Sequence, residues 1–247
     1  MWVAQQYNNS FIRNTTIIMN IKVHHTGSTG NLFQVDNLLI DPGVSIKRIK
    51  EALDYKLSDI AGCLVSHAHK DHCKGVNDIM KCGTSCYMSF ETAQEINASG
   101  HRMNIIAPDK QFEIDNWKIK PFKLIHDVFN LGFLISKDDE KVLFATDTAY
   151  IPYRFKGLTG IMISIDFDLD QLKENVDLGH LDSGLAKRII KNHMSLQNAV
   201  DFFKANDMSQ VKEIYILHLS KLNSNPDHFR EEIQKMTGRP TYLKGDI

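Results

Sequence analysis

The feature that most constrains this 247-residue chain is a histidine-rich segment at residues 66–72, directly after an apolar run at residues 60–65. The apolar run has the length and composition of a buried strand. The segment that follows places three histidines and one aspartate within six positions, in the pattern HxHxDH. Imidazole and carboxylate groups are common protein ligands of Zn²⁺ and Mn²⁺. We therefore expect a metal site at the end of this strand.

The spacing within the segment favours two ions over one. If the chain leaves the strand in an extended conformation, His67 and His69 point the same way, because strand side chains repeat every two residues. Asp71 and His72 then lie on the following turn and point elsewhere. An isolated histidine is more often a surface residue than a ligand, but this pattern directly after an apolar run is specific. It predicts a two-metal hydrolytic site.

Composition narrows the class of protein. The chain is 43% hydrophobic and 24% charged, with a formal net charge of −1. Such a balance argues against a polybasic nucleic-acid binder, although not against an enzyme that holds phosphates through metal ions. No apolar stretch approaches the roughly 20 residues needed to span a bilayer, and the N-terminus lacks a secretory pattern. The four cysteines show neither disulfide nor zinc-ribbon spacing, so we expect reduced thiols in a cytoplasmic protein.

The pattern along the chain predicts an α+β fold. Residues 1–18 are polar and patternless, and we expect a disordered extension or a start codon upstream of the native one. Residues 19–247 carry no repeat or linker and are expected to form a single domain. Strands are predicted at residues 21–25, 31–35, 38–41, 60–66, 85–88, 111–114, 117–125, 131–136, 141–146, 161–166, 213–219 and 240–243. Helices are predicted at residues 45–53, 70–81, 169–174, 183–191, 196–206 and 226–236. Two packed sheets flanked by helices would accommodate these elements.

Three polar residues at predicted strand ends could complete the metal site. His126 follows the strand at 117–125, Asp147 follows the strand at 141–146, and His218 lies near the end of the strand at 213–219. Each of them alone could be a polar residue that ends a strand at the surface. A two-metal centre needs more ligands than HxHxDH supplies, and these are the candidates.

Taken in order, these residues resemble the second to fifth motifs of the metallo-β-lactamase fold superfamily. The resemblance implies a four-layer αββα sandwich with metal ions at one edge of the two sheets. It assigns one ion to His67, His69, His126 and Asp147. It assigns the other ion to Asp71, His72, Asp147 and His218, with the Asp147 carboxylate bridging.

Three further positions refine this resemblance. Asp147 is a carboxylate where many zinc-dependent β-lactamases carry a cysteine, and a bridging carboxylate lets two ions about 3.5–4 Å apart share a nucleophilic hydroxide. Lys70 stands where redox di-iron members carry an acidic residue, which favours hydrolysis. Asp41, in the Asp-Pro-Gly segment, matches the first motif and is expected to accept a hydrogen bond from a ligating imidazole. A turn-initiating aspartate is the alternative interpretation of Asp41.

Three segments resemble one branch of the superfamily, the YycJ-type bacterial exonucleases and their phage relatives. The loop at residues 27–31 is close to their GSSGN segment, and from it Ser28, Thr29 and Asn31 are expected to meet a substrate phosphate. Residues 192–195 and 217–221 match their GHLS and HLSK segments. The resemblance gives His193 a catalytic role as general acid or phosphate ligand, and gives Asp71 a catalytic role beside metal binding. The alternatives are a simple hairpin for the loop and a helix-terminal polar residue for His193.

One segment departs from that branch. Where its members carry Ser-Asn-His-Asp, residues 164–168 read Ser-Ile-Asp-Phe-Asp. The carboxylate expected to support the catalytic histidine is therefore either missing or shifted to Asp166.

The expected function is a metal-dependent phosphodiesterase on nucleic acid, on DNA more than RNA, with exonuclease character and two divalent ions, Zn²⁺ or Mn²⁺. The alternative is hydrolysis of a small phosphodiester, cyclic nucleotide, lactone or thioester on the same metals. A non-catalytic metal-binding module is a third interpretation, against which the complete ligand set argues.

Overall fold

A computed structural model describes residues 19–244 and 246 of the chain. The extension expected at residues 1–18 lies outside the described residues. The assignment of residues 19–247 to a single domain stays a prediction.

The first of two mixed β-sheets has six strands in the order β1-β2-β3-β4-β5-β6. The strands are β1 (Ile21–His25), β2 (Leu32–Val35), β3 (Leu38–Ile40), β4 (Gly62–Leu64), β5 (Cys86–Met88) and β6 (Met103–Ile105). The first three strands pair antiparallel, and β3 to β6 pair parallel. The carboxyl ends of β3 and β4 therefore lie at the same edge.

The second sheet has seven strands in the order β13-β12-β11-β10-β9-β8-β7. They are β7 (Phe112–Ile114), β8 (Trp117–Leu124), β9 (Asn130–Lys137), β10 (Glu140–Ala145), β11 (Gly160–Ser164), β12 (Glu213–Leu217) and β13 (Thr241–Tyr242). The strands β10 to β13 pair parallel, whereas β7 to β10 pair antiparallel. Because β8 and β10 are both antiparallel to β9, the carboxyl ends of β8, β10, β11 and β12 meet at one edge.

Eight α-helices accompany the sheets in the described part of the chain. They are α1 (Ile46–Ala52), α2 (Lys70–Cys73), α3 (Val76–Lys81), α4 (Phe90–Glu95), α5 (Leu169–Asp177), α6 (Ser183–Asn192), α7 (Leu196–Ala205) and α8 (Pro226–Thr237). Side-chain caps that accept backbone N–H bonds begin several of them, including Asp182 for α6 and Ser195 for α7, as expected for these residue types. No helix among the described residues is both long and apolar enough to cross a membrane.

The two sheets and the helices outside them form four layers, with buried side chains between neighbouring layers. Between the sheets lies an aromatic core that includes Phe33 and Phe144, whose ring centroids are 5.4 Å apart. The outer face of the first sheet packs against α1 and α3 through residues such as Ile49 and Ile79. The outer face of the second sheet packs against α7 and α8 through residues such as Phe202. This arrangement, helices outside two facing sheets, confirms the predicted α+β class and αββα sandwich.

The helix expected over residues 70–81 is wrong in one respect, because it divides into α2 and α3 at Gly75. A Cβ atom at Gly75 would lie 2.6 Å from Cδ1 of Ile49 and 2.9 Å from the carbonyl oxygen of Pro42. The chain bends at this close approach, and the N–H of Gly75 donates to the Pro42 carbonyl at 2.7 Å. The short strand β6 and helix α4 were not predicted.

Candidate metal centre

The histidine-rich segment leaves β4 at the edge where the strands of the second sheet also end. His69 caps the amino end of α2, and Asp71 and His72 lie within that helix. Nε2 of His67 and Nδ1 of His69 are 3.1 Å apart. The rings of His67 and His69 therefore face each other. The helical turn of α2 points Asp71 and His72 in a different direction.

The first group of donor atoms joins both sheets. It consists of His67, His69, His126 and Asp147, with one donor atom of each residue within 4.8 Å of the others. His126 follows β8, and its Nε2 lies 3.3 Å from Nδ1 of His69. Asp147 follows β10, and its Oδ2 lies 3.6 Å from Nε2 of His67. These are the four residues that the superfamily resemblance assigns to one ion.

The second group consists of Asp71, His72 and His218, again with donor atoms within 4.8 Å of one another. Oδ2 of Asp71 lies 3.6 Å from Nε2 of His72 and 3.7 Å from Nε2 of His218. Oδ2 of Asp147 lies 3.0 Å from Nε2 of His72. The same carboxylate oxygen thus faces an imidazole of each group, which is the position a bridging ligand requires.

Each of the five imidazoles directs one nitrogen to the centre and has its other nitrogen against a polar partner. Nδ1 of His67 contacts the Ser66 hydroxyl at 2.9 Å, and Nδ1 of His126 contacts the carbonyl of Asn192 at 3.0 Å. Nδ1 of His218 lies 3.0 Å from Oδ1 of Asp166. The remaining pairs are His72 with Asp41 at 2.8 Å and His69 with Asp127 at 3.4 Å. Such outer contacts fix the tautomer of a metal-binding histidine.

Asp41 holds two parts of the centre together. It is fully buried, and its Oδ2 accepts from Nδ1 of His72 at 2.8 Å. The same carboxylate accepts from the N–H of Ser66 at 2.7 Å and from its hydroxyl at 2.8 Å. The Ser66 hydroxyl therefore has its lone pairs free for Nδ1–H of His67. Asp41 thus orients one imidazole of each group, one directly and one through Ser66.

A close backbone contact fixes the distance between the Asp-Pro-Gly segment and α2. A Cβ atom at Gly43 would lie 1.6 Å from the carbonyl oxygen of Asp71, so only glycine fits there. The N–H of Asn31 donates to the same Asp71 carbonyl at 2.7 Å, and the N–H of Gly43 donates to the Asn31 carbonyl at 2.8 Å. Three segments that are distant in sequence are therefore joined directly beneath Asp71.

Three residues of the centre adopt backbone conformations that L-residues rarely occupy. The φ angles of Asp41, Asp147 and His218 are 52°, 48° and 59°. Each such conformation costs on the order of 1–3 kcal/mol and tends to occur at functional sites. Asp147 is held by two backbone contacts, since the amide of Asn130 donates to its carbonyl at 2.7 Å and its N–H donates to Ser164.

The electrostatics favour bound positive charge. Burial alone would lower the pKa of His72, but the carboxylates of Asp147 and Asp41 outweigh it and raise that pKa to about 10. Burial would also lower the pKa of His218, yet Asp147 and Asp166 raise it well above its usual value. Conversely, burial would raise the pKa of Asp147, but His218 and His72 hold it well below its usual range. Buried carboxylates that draw protons onto neighbouring imidazoles create an environment that also suits metal cations.

The donor set fits divalent ions of the Zn²⁺ or Mn²⁺ type. Its atoms are imidazole nitrogens and carboxylate oxygens, as these ions prefer. Nε2 of His218 is buried and has no hydrogen-bond partner among the described residues. A buried imidazole nitrogen that faces Asp71 and has no hydrogen-bond partner is available to bind a metal ion.

His193 lies beside the centre, at the carboxyl end of α6. Its Nδ1 is 3.2 Å from Oδ1 of Asp166, and its ring stacks on that of His218 with centroids 6.0 Å apart. Burial would lower the pKa of His193, but the contact with Asp166 raises it above its usual value. Asp166 thus lies beside His193, and its role as the carboxylate that supports this histidine stays a prediction. The grouping of Asp147, Asp166, His193 and His218 also has donor atoms within 4.8 Å.

The loop at residues 27–31 divides into two parts. Ser28 and Thr29 are exposed and line the cavity of about 570 Å³ that contains His193 and His218. Asn31 is instead fully buried. Its amide donates to the Asp71 carbonyl at 3.0 Å, and its oxygen accepts from the N–H of Gly27 at 2.9 Å. Asn31 therefore organises the loop beneath the centre, and the substrate contact expected of it stays a prediction.

Several contacts that position the candidate ligands were not predicted from the sequence. Ser66, Asp127 and Asn130 each position a candidate ligand. The signal available for Ser66 and Asp127 is adjacency, because each is the immediate neighbour of a candidate histidine. Asn130 had no such signal, since it opens a strand 17 residues before the Asp147 carbonyl that it contacts.

The chain has the architecture of a metallohydrolase fold. Its two sheets form an αββα sandwich, and paired groups of His and Asp residues lie at the edge that the sheets share. A family model described as the β-lactamase superfamily domain matches residues 36–218, and the chain belongs to that superfamily. This finding confirms the resemblance drawn from HxHxDH and the strand-end residues.

Individual relatives agree with this membership. The chain is 29% identical over 221 residues to the exodeoxyribonuclease WalJ of Streptococcus pneumoniae, covering 81% of each chain. It is 26% identical over 238 residues to the exodeoxyribonuclease YycJ of Bacillus anthracis, covering 88% of this chain and 89% of that protein. Its fold matches the metallo-β-lactamase fold protein YhfI of Bacillus subtilis with a TM-score of 0.68 and 16% identity, over 90% and 95% of the two chains.

Proposed function

We propose that this protein is a metal-dependent phosphodiesterase that degrades nucleic acid as an exonuclease, acting on DNA more than RNA. The observation that carries the proposal is the pair of donor groups that share Oδ2 of Asp147. Two relatives that cover more than four-fifths of the chain are named exodeoxyribonucleases, which supports DNA as the substrate.

The first group, His67, His69, His126 and Asp147, would hold one divalent ion. The second group, Asp71, His72 and His218 with Asp147, would hold the other, and Zn²⁺ and Mn²⁺ both suit these donors. Paired divalent ions supply an activated water and stabilise the charge that develops on a phosphate.

The protein's own residues would bind the substrate and move protons. Oδ1 of Asp166 lies 3.2 Å from Nδ1 of His193, so that Nε2 of the imidazole would be available to donate a proton to the leaving oxygen of the scissile phosphate. Asp71 is a quarter exposed, so its carboxylate can orient an entering water in addition to its place in the second group. Ser28 and Thr29, which line the same cavity as His193, would contact the phosphate through hydroxyl and N–H groups.

A metal-reconstituted assay tests the proposal. The protein, loaded separately with Zn²⁺ and Mn²⁺, is given single- and double-stranded DNA, RNA and bis(p-nitrophenyl) phosphate, with His67→Ala as the control. We expect mononucleotide release from DNA that exceeds the release from RNA and is lost in His67→Ala. Turnover of the small diester without any cleavage of DNA would contradict the proposal.

Hydrolysis of a small phosphodiester is a second candidate. The cavity beside His193 and His218 has a volume of about 570 Å³, which is in the range of small-ligand sites, and the net charge of −1 provides little long-range attraction for DNA. Activity on DNA should fall steeply with salt if phosphates are bound by Lys and Arg. A flat salt response would favour the small substrate.

The cysteines support a cytoplasmic location as part of the proposal. All four are free thiols, and Cys63, Cys73 and Cys86 are buried. Free thiols of this kind are typical of a reducing compartment.

A further inference from the structure

The cavity of about 570 Å³ that His193 and His218 line is called the active-site cavity here. A second cavity lies directly beside it. This second cavity has a volume of about 580 Å³ and is lined in part by His24, His25, Arg48 and Glu51; we call it the Arg48 cavity. Thr29 and Lys244 line both cavities. The two spaces therefore adjoin at the tip of the loop that follows β1.

The fixed charges that line the Arg48 cavity are two positive and one negative. Arg48 and Lys244 carry fixed positive charges, and Glu51 is the carboxylate among the lining residues. Glu51 is itself paired with Lys47 at 3.9 Å. Burial, followed by the positive charges of Lys244 and Arg48, lowers the pKa of His25, so the two cations act on the same small space.

The cations along this route have no carboxylate partner among the described residues. Within the described part of the chain, no carboxylate lies within 4.0 Å of Arg48, Lys244 or Lys221, whereas Lys47 and Lys137 both have one. Lys221 lines the active-site cavity. Unpaired cations that continue from a phosphodiesterase centre into a cavity suit an extended polyanion, and a small diester would not reach them.

We propose that the Arg48 cavity binds a backbone phosphate of the DNA strand, at a nucleotide beyond the one being cleaved. The strand then runs from His193 past Thr29 and Lys244 to the guanidinium of Arg48. Arg48 provides a fork of donors that matches phosphate oxygens. This inference rests on the proposed nuclease function and adds the path of the substrate.

The test compares Arg48→Ala with two variants on the same helix. Lys50→Ala removes an equal charge from α1 at a position that does not line the cavity, and Glu51→Gln removes the carboxylate that opposes phosphate. Affinity of the metal-loaded protein for a fluorescent, hydrolysis-resistant phosphorothioate DNA strand is measured by anisotropy at several salt concentrations. The ratio of kcat/KM on DNA to kcat/KM on bis(p-nitrophenyl) phosphate is measured alongside.

We expect Arg48→Ala to weaken DNA binding about tenfold, as for loss of one charge-assisted contact. The slope of log affinity against log salt should become shallower by about 0.7, as for loss of one phosphate contact on a single strand. The kcat/KM ratio should fall with the affinity. Lys50→Ala should match the wild type, and Glu51→Gln should bind more tightly.

Two results would overturn the inference, and they differ. If the wild type cleaves DNA but Arg48→Ala binds it with unchanged affinity and salt slope, the strand does not use this cavity and the nuclease function stands. If the wild type hydrolyses the small diester but neither binds nor cleaves DNA, both the nuclease function and the strand path are wrong.

Discussion

Replacing Asp41 by asparagine tests how the centre is organised, because the change keeps the shape of the side chain and removes one acceptor. Asp41 accepts three hydrogen bonds, two from Ser66 and one from Nδ1 of His72, at 2.7–2.8 Å. An asparagine has a single oxygen, so its NH₂ group must face one of these donors.

The two orientations of the amide have different costs. If the NH₂ group faces His72, Nδ1 must become the acceptor and the proton moves to Nε2, the atom that faces Asp147 at 3.0 Å. Loss of such an outer contact typically lowers metal affinity 10- to 100-fold, which is about 1.4–2.7 kcal/mol. If the NH₂ group faces the N–H of Ser66 instead, two buried donors oppose each other at a cost of about 1–3 kcal/mol of folding stability.

The assay is a competition titration of Zn²⁺ and Mn²⁺ against a chelator, combined with the metal content of the purified protein. We expect Asp41→Asn to bind the second ion at least tenfold more weakly. The matched control is Asp54→Asn, because Asp54 is an exposed aspartate with a φ of 49°, close to the 52° of Asp41. Two ions bound to Asp41→Asn with wild-type affinity and stability would refute the role assigned to Asp41.

Three further predictions address the same centre and its support. Gly43→Ala places a Cβ atom 1.6 Å from the Asp71 carbonyl, so we expect a lower melting temperature, with about 1–3 kcal/mol lost, and weaker binding of the second ion; an unchanged ion count and melting curve would contradict this. His193→Ala should leave two ions bound while kcat on DNA falls by about 10²–10⁴, the usual contribution of a general acid; loss of metal instead would show that His193 is a ligand. Phe133→Ala removes a fully buried ring between the sheets and should lower the free energy of unfolding, measured by chemical denaturation, by about 3–5 kcal/mol. A loss below about 1 kcal/mol would contradict the burial of this ring.

The candidate metal centre could be proposed from the sequence because most of its residues lie in one short segment or directly after predicted strands. HxHxDH occupies six consecutive positions, and the other candidate ligands follow apolar strands, whose periodicity is readable from sequence. That His126, Asp147 and His218 meet follows from strands that run in the same direction and end at one edge.

The unpredicted features depend on contacts between distant segments. The break at Gly75 arises from its approach to Pro42 and Ile49, and the burial of Asn31 arises from its bonds to Asp71 and the loop. The helix α4 has six residues and begins at an exposed phenylalanine, so its apolar periodicity was too weak to identify. Contacts between distant segments cannot be recognised from helical periodicity or from a short motif.

We propose that two ions share the Asp147 carboxylate, one held by His67, His69 and His126 and the other by Asp71, His72 and His218. Anomalous diffraction at the absorption edge of the bound metal tests this most directly. We predict two peaks about 3.5–4 Å apart, each within coordination distance of its own group and of Asp147. A single peak, or a peak held by Asp166 and His193 in place of Asp71 and His72, would contradict it.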